Sequence, residues 1–179
     1  MILLVIDMQP NFRSANRRWL IGRVAREIRA ARSAGWGVMF LEYTSGHGSD
    51  GTIRGVLLKE RTHRRLTDLL RDYDDAITVH KGRDDGSAEV LLAAEKWFCE
   101  GPGCVRHIDG GIRVVGVNTE ACVASTVNGL SAAMPAMEIT VVGGACNSDC
   151  EAGKAPNNEG HDQIVRKDRN VRVLAAVVA

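Results

Sequence analysis

The sequence predicts a single α/β domain, a three-layer doubly wound sandwich built on a six-stranded parallel sheet. Three observations lead there. Six short runs are rich in apolar residues, the first of them continuously so, as strands are when both faces of their sheet are covered. Segments with helical spacing separate the first five of these runs. The chain has 179 residues and no visible linker, repeat or low-complexity stretch, so residues 1–179 form one domain large enough for a sizeable core. Right-handed crossovers in such a chain favour a doubly wound sheet, and the strand order expected is 3-2-1-4-5-6. Ligands of such folds sit outside the carboxyl ends of the strands, where the order reverses.

The elements follow in order. Ile2 to Asp7 is an apolar run of strand length that ends in a carboxylate. Trp19 to Ala34 carries Leu20, Val24, Ile28 and Ala31 at helical period, and Gly35 ends it. Gly37 to Tyr43 is the second strand, and Leu57 to Leu70 again has helical spacing. Ala76 to Lys81 is the third strand and ends in a cation; Ser87 to Phe98 reads as a helix. Gly111 to Val117 is the fourth strand, followed by a helix over 120–133. Glu138 to Gly143 and Val171 to Val178 are the fifth and sixth.

Composition excludes several classes. With 23 Lys+Arg against 22 Asp+Glu the net charge is +1, which gives no electrostatic footprint for nucleic acid. Aromatic residues make up 4%, too few for a base-stacking platform. No stretch approaches the ~20 apolar residues that span a membrane. Met1 to Met8 is short, has no basic leader and runs into an acid, unlike a signal peptide. Five cysteines, Cys99, Cys104, Cys122, Cys146 and Cys150, are an odd number and fit free thiols in a cytoplasmic protein. Neither close pair has the two-residue spacing of a zinc site. The basic runs Arg17-Arg18 and Arg61 to Arg65 lie among acids and read as solvated faces.

Three strand ends carry reactive side chains. Asp7 closes the first strand, Lys81 closes the third, and Cys122 follows the fourth. Singly, each has a plain structural reading: a turn carboxylate, a solvated cation, a small core residue. Together they bring three chemistries to one edge of a sheet. Thr119 is a suitable N-cap, which puts Cys122 in the first turn of its helix. There the helix dipole favours thiolate, and the Lys81 ammonium would favour it further. Asp7 would take and return a proton. Nucleophile, base and cation form a set for covalent catalysis, and backbone N–H groups of the same turn would hold an oxyanion.

Three motifs in this order resemble the isochorismatase-like cysteine hydrolases, the superfamily of nicotinamidases and N-carbamoylsarcosine amidases. They are Asp7-Met8-Gln9-Pro10-Asn11-Phe12, the turn from Lys81 to Ser87, and Gly116-Val117-Asn118-Thr119-Glu120-Ala121-Cys122-Val123. The strand–helix rhythm matches from Met1 to about Asp149. The resemblance implies a triad of Asp7, Lys81 and Cys122. It also implies a cis peptide at Val117–Asn118 that aims the Asn118 N–H, beside that of Cys122, at an oxyanion. Gln9, Phe12, Tyr43 and Thr119 are the candidate substrate-binding residues. Two departures stand out. Nicotinamidases bind a metal through an Asp-x-His motif and a later His after the second strand. This chain has Tyr43-Thr44-Ser45-Gly46-His47 there, and His47 with Asp50 reads as a polar loop, so no metal or other cofactor is expected. The turn after Lys81 carries Asp84, Asp85 and Gly86, where relatives often carry an apolar or aromatic residue.

The function expected from these residues is metal-independent hydrolysis of a C–N bond in a small amide or ureido compound through a thioester. Two alternatives remain. One is hydrolysis of a vinyl ether with Asp7 as general acid; the other is a catalytically idle binding domain on the same fold. The partner is a small molecule, with neither nucleic acid nor membrane involved. Relatives often assemble, and helix 120–133 is a candidate surface for a homo-oligomer.

Overall fold

A computed structural model describes residues 1–44, 61–97, 110–148 and 170–174. Six strands form one all-parallel sheet: β1 (Ile2–Ile6), β2 (Gly37–Tyr43), β3 (Ala76–Lys81), β4 (Ile112–Val117), β5 (Ile139–Asn147) and β6 (Val171–Leu174). Their order is β3-β2-β1-β4-β5-β6, the order expected. Leu4 pairs with Met39 on one side and with Val114 on the other, which fixes β1 at the centre.

Every residue of β1 is buried, because both faces of the sheet are covered. Ile2, Leu4 and Ile6 point into one core with Met39, Leu41, Val90, Val114, Val127 and Leu130. Leu3 and Val5 point into the other with Leu20, Val24, Ile28, Phe40, Leu66 and Val115. The first core lies under α3 (Ser87–Trp97) and α4 (Ala124–Ala133). The second lies under α1 (Arg18–Ser33) and the short α2 (Arg64–Thr67), which a 3-10 turn continues over Asp68–Leu70. The buried stripe of α1 is Leu20, Val24, Ala25, Ile28 and Ala31, the spacing read from the sequence. Successive helices change face between β1 and β4, so the switch point of the strand order, where ligands of such folds sit, lies at the ends of these two strands.

The structure adjusts some boundaries. Of the helix expected over Leu57 to Leu70, only the last turns are seen; residues 57–60, like Phe98 and 175–178, lie outside the described residues. β5 runs past Gly143 to Asn147. Val114 pairs with Val141 but Gly116 pairs with Cys146, so β5 carries extra residues in a bulge. The glycines there hid the bulge from periodicity. The segment 120–133 is not one helix. Thr119–Val123 form a wider, π-type turn that leads into α4. Among the described residues no helix is long and apolar enough to cross a membrane. α4 buries Ala124, Thr126, Val127, Leu130 and Ser131 inside its own domain.

Candidate active site

The carboxyl ends of β1, β3 and β4 bring Asp7, Lys81 and Cys122 together. Asp7 follows β1 directly, with its N–H on the Leu41 carbonyl (2.8 Å). Its backbone is left-handed (φ 51°), a region in which Asp is tolerated better than most residues. Lys81 ends β3, two strands away across β2. Its side chain bridges the gap predicted from strand spacing, and Nζ lies 3.0 Å from Asp7 Oδ2 with neither side chain exposed. The ammonium also donates to the Asp84 carbonyl (3.0 Å) and sits 5.3 Å from the centre of the Tyr43 ring.

Cys122 lies in the π-type turn after β4 and is 3% exposed. Its thiol donates to Asp84 Oδ1 at 3.5 Å. Gly116 makes the approach of β4 to β1 possible. Its φ is 131°, and a Cβ there would run into the Ile6 carbonyl. The Val117–Asn118 peptide bond is cis. The Asn118 carbonyl accepts the N–H groups of both Ala121 (3.2 Å) and Val123 (3.0 Å).

Electrostatics correct one expectation. The Cys122 thiol is not tuned toward thiolate; it is pushed well above the usual thiol range, first by burial and then by the negative charge of Asp7. Lys81 pulls the other way, but its charge is already paired. Burial likewise holds the Asp7 carboxyl above the usual carboxylate range, against the opposing pull of Lys81. The resting site is thus a protonated thiol beside a carboxylate of raised proton affinity.

Thr119 is the second correction. It does not cap a helix: Asn118 stands at the boundary, no side chain caps the turn, and the buried Thr119 Oγ1 has no hydrogen-bond partner among the described residues. The wide turn directs its N–H groups to the Asn118 carbonyl instead. Gln9 is also buried, with its amide on the Tyr43 backbone: Oε1 accepts from Tyr43 N (2.8 Å) and Nε2 donates to Tyr43 O (3.1 Å). It ties the end of β1 to the end of β2. Phe12 meets Tyr43 edge-on with ring centres 6.2 Å apart, so these two form an aromatic wall beside the Lys81–Asp7 pair.

Sequence reading missed the support beneath Asn118. Ser14 Oγ donates to Asn118 Oδ1 at 2.6 Å, and Asn147 Nδ2 donates to the Ser14 carbonyl at 3.0 Å. Ser14 sits in a 3-10 turn (Arg13–Asn16), and Asn147 is the last residue of the bulged β5. Their one sequence signal is a polar residue in an otherwise buried stretch. Cys146 is buried and pushed up to about 12 by burial, an inert core thiol. Cys99, Cys104, Cys150, His47 and Asp50 lie outside the described residues. Among the described residues no group of three or more His, Cys, Asp or Glu could hold a metal. Among the described residues, Tyr43 and Thr44 at the end of β2 provide no carboxylate for an Asp-x-His site.

The fold has many solved counterparts. Nicotinamidase PncA from Bacillus subtilis superposes with a TM-score of 0.66 at 18% identity, covering 97% of this chain and 98% of that one. An isochorismatase from Pseudomonas putida gives 0.61 at 18% identity, covering 97% and 87%. The MAR1 ribonuclease from Caenorhabditis elegans gives 0.58 at 18% identity, covering 92% and 79%. At these identities the likeness is one of fold. No curated protein matches the chain by sequence. The family model of the isochorismatase domain matches residues 1–166, which hold five of the six strands and Asp7, Lys81 and Cys122, and the chain therefore belongs to the isochorismatase domain family.

Proposed function

We propose that the protein is a cysteine hydrolase that cleaves the C–N bond of a small amide or ureido compound without a metal. The observation that carries this reading is the fully buried Lys81–Asp7 pair, 3.0 Å between charged atoms, at the strand ends next to a thiol that is itself nearly buried. Burying two charges is costly, so a pair with no stabilising excess is best explained by use.

The chemistry follows from the proton affinities. Asp7 takes the proton of Cys122 as Sγ bonds to the substrate carbonyl carbon. The oxygen becomes an oxyanion held by the N–H groups of Asn118 and Cys122. Asp7 then gives its proton to the departing nitrogen, the C–N bond breaks, and a thioester remains. Water attacks the thioester carbon as Asp7 takes its proton, the C–S bond breaks, and Asp7 returns the proton to Sγ as the acid leaves. Asp7 suits this cycle because its raised affinity brings it nearer to that of the groups it serves. Lys81 holds Asp7 in place and offsets the charge that passes between it and Cys122. Phe12 and Tyr43 wall the substrate, and Thr119 offers a hydroxyl.

A panel of small amides and ureido compounds with ammonia detection tests this reading, with intact-mass measurement during turnover to trap the acyl-enzyme. An adduct of acyl mass on the peptide of Cys122 is expected. Turnover without that adduct, and retained by Cys122→Ala, would reject it. One observation favours a second reading: a carboxyl of raised proton affinity also suits a general acid for vinyl ether hydrolysis. That reaction needs Asp7 and not Cys122, so the same variant separates the two.

A further inference from the structure

The turn after Lys81 carries two adjacent carboxylates with different surroundings. Asp85 Oδ1 accepts the Ser87 N–H at 2.8 Å and so caps the start of α3. Asp84 is fixed by its backbone: its carbonyl accepts from Lys81 Nζ (3.0 Å) and from Thr126 Oγ1 (3.2 Å). Gly86 N–H donates to the same Thr126 hydroxyl at 3.1 Å. A Cβ on Gly86 would lie 2.6 Å from Leu41 Cδ2 and 2.9 Å from Lys81 Cδ, so glycine lets the turn press down on the lysine. The residue is therefore held firmly while its side chain is exposed.

The Asp84 carboxylate makes no ion pair among the described residues. It accepts one hydrogen bond there, from the Cys122 thiol 3.5 Å from Oδ1. The nearby Lys81 ammonium does not neutralise it, being buried between Asp7 and the Asp84 carbonyl. A substrate whose carbonyl carbon is bonded to Sγ must bring its neighbouring atoms within a few ångströms of this free carboxylate. A cationic nitrogen there gains a charge-assisted hydrogen bond, and a carboxylate there meets like charge.

We infer that Asp84 is the specificity-determining residue of the site and selects substrates bearing a cationic nitrogen group close to the scissile carbonyl. The inference rests on Cys122 being the attacking group. It names the substrate class as ammonium, amidinium or guanidinium compounds and disfavours carboxylates.

Charge-graded alkylation tests this without a known substrate. Cys122 is treated with 2-bromoethylamine (cationic), iodoacetamide (neutral) and iodoacetate (anionic), and its modification rate is followed by peptide mass spectrometry. Asp84→Asn and Asp84→Lys are measured alongside the wild-type protein; both leave the backbone contacts of residue 84 in place. A change in thiol acidity alters all three rates alike and cancels in their ratios. The cation-to-anion rate ratio should fall on the order of tenfold in Asp84→Asn and fall further in Asp84→Lys. Equal ratios in all three proteins would overturn the inference and leave the thiol chemistry standing. A Cys122 that no reagent modifies would overturn both. A shifted ratio in a protein that hydrolyses no amide would support the role of Asp84 and reject the amidase reading.

Discussion

Lys81→Met keeps the length of the side chain and deletes the charge beneath the site. With Lys81 Nζ 3.0 Å from Asp7 Oδ2 and neither side chain exposed, the change leaves a carboxylate in the core with no opposite charge. Breaking a buried pair in this way costs about 3–5 kcal/mol. The variant can escape that cost by protonating Asp7. Burial already raises the Asp7 pKa, and Lys81 is the largest influence opposing it, so removing Lys81 raises it further. The sign then follows. A group whose folded pKa lies above its unfolded value, about 3.9 for Asp, contributes stability below that value and loses it as pH rises through the folded pKa. Below the wild-type Asp7 pKa the variant should match or exceed wild type, which there buries an unpaired ammonium. Above it the deficit should grow by about 1.4 kcal/mol per pH unit until it levels at about 3–5 kcal/mol. Urea unfolding at a series of pH values between 5 and 8 reads this directly. A deficit that is the same at every pH, or below about 1 kcal/mol at pH 8, would refute the reasoning. At pH values where Asp7 stays ionised in the variant, alkylation of Cys122 by iodoacetamide should also slow, because Lys81 lowers the thiol pKa against burial and Asp7.

Other variants probe the remaining parts. Cys122→Ala should abolish turnover while costing only about 1 kcal/mol of stability, since it deletes one buried heavy atom; activity assays and thermal unfolding check both halves. Asp7→Asn should reduce kcat by about 10²–10⁴-fold. In wild type, kcat/KM should fall as pH drops through the raised Asp7 pKa, because the base must be ionised, so the acid limb of the profile lies above the ordinary carboxylate range and is absent from Asp7→Asn. Gly116→Ala should destabilise the protein by about 3 kcal/mol or more, by thermal or urea unfolding, because it combines φ 131° with a Cβ directed at the Ile6 carbonyl.

The sequence by itself determined the sheet and the reactive residues placed at its edge. β1 is apolar on five consecutive residues and β2 and β4 nearly so, the pattern of strands in a sheet covered on both faces. Asp7, Lys81 and Cys122 were legible because strand ends in such a fold are where ligands bind. Tertiary structure decided how these groups behave. Helix position suggested a thiolate, but burial is a property of everything packed around Cys122, and it outweighs a helix end and a lysine already paired with Asp7. Ser14 and Asn147 were invisible because they lie 133 residues apart and meet only when the bulged end of β5 reaches the turn after β1. The contact between Asp84 and the thiol likewise joins residues 38 apart in the chain. Sequence spacing reports the local period of a chain, whereas proton affinity and side-chain support depend on which distant segments the fold brings within a few ångströms.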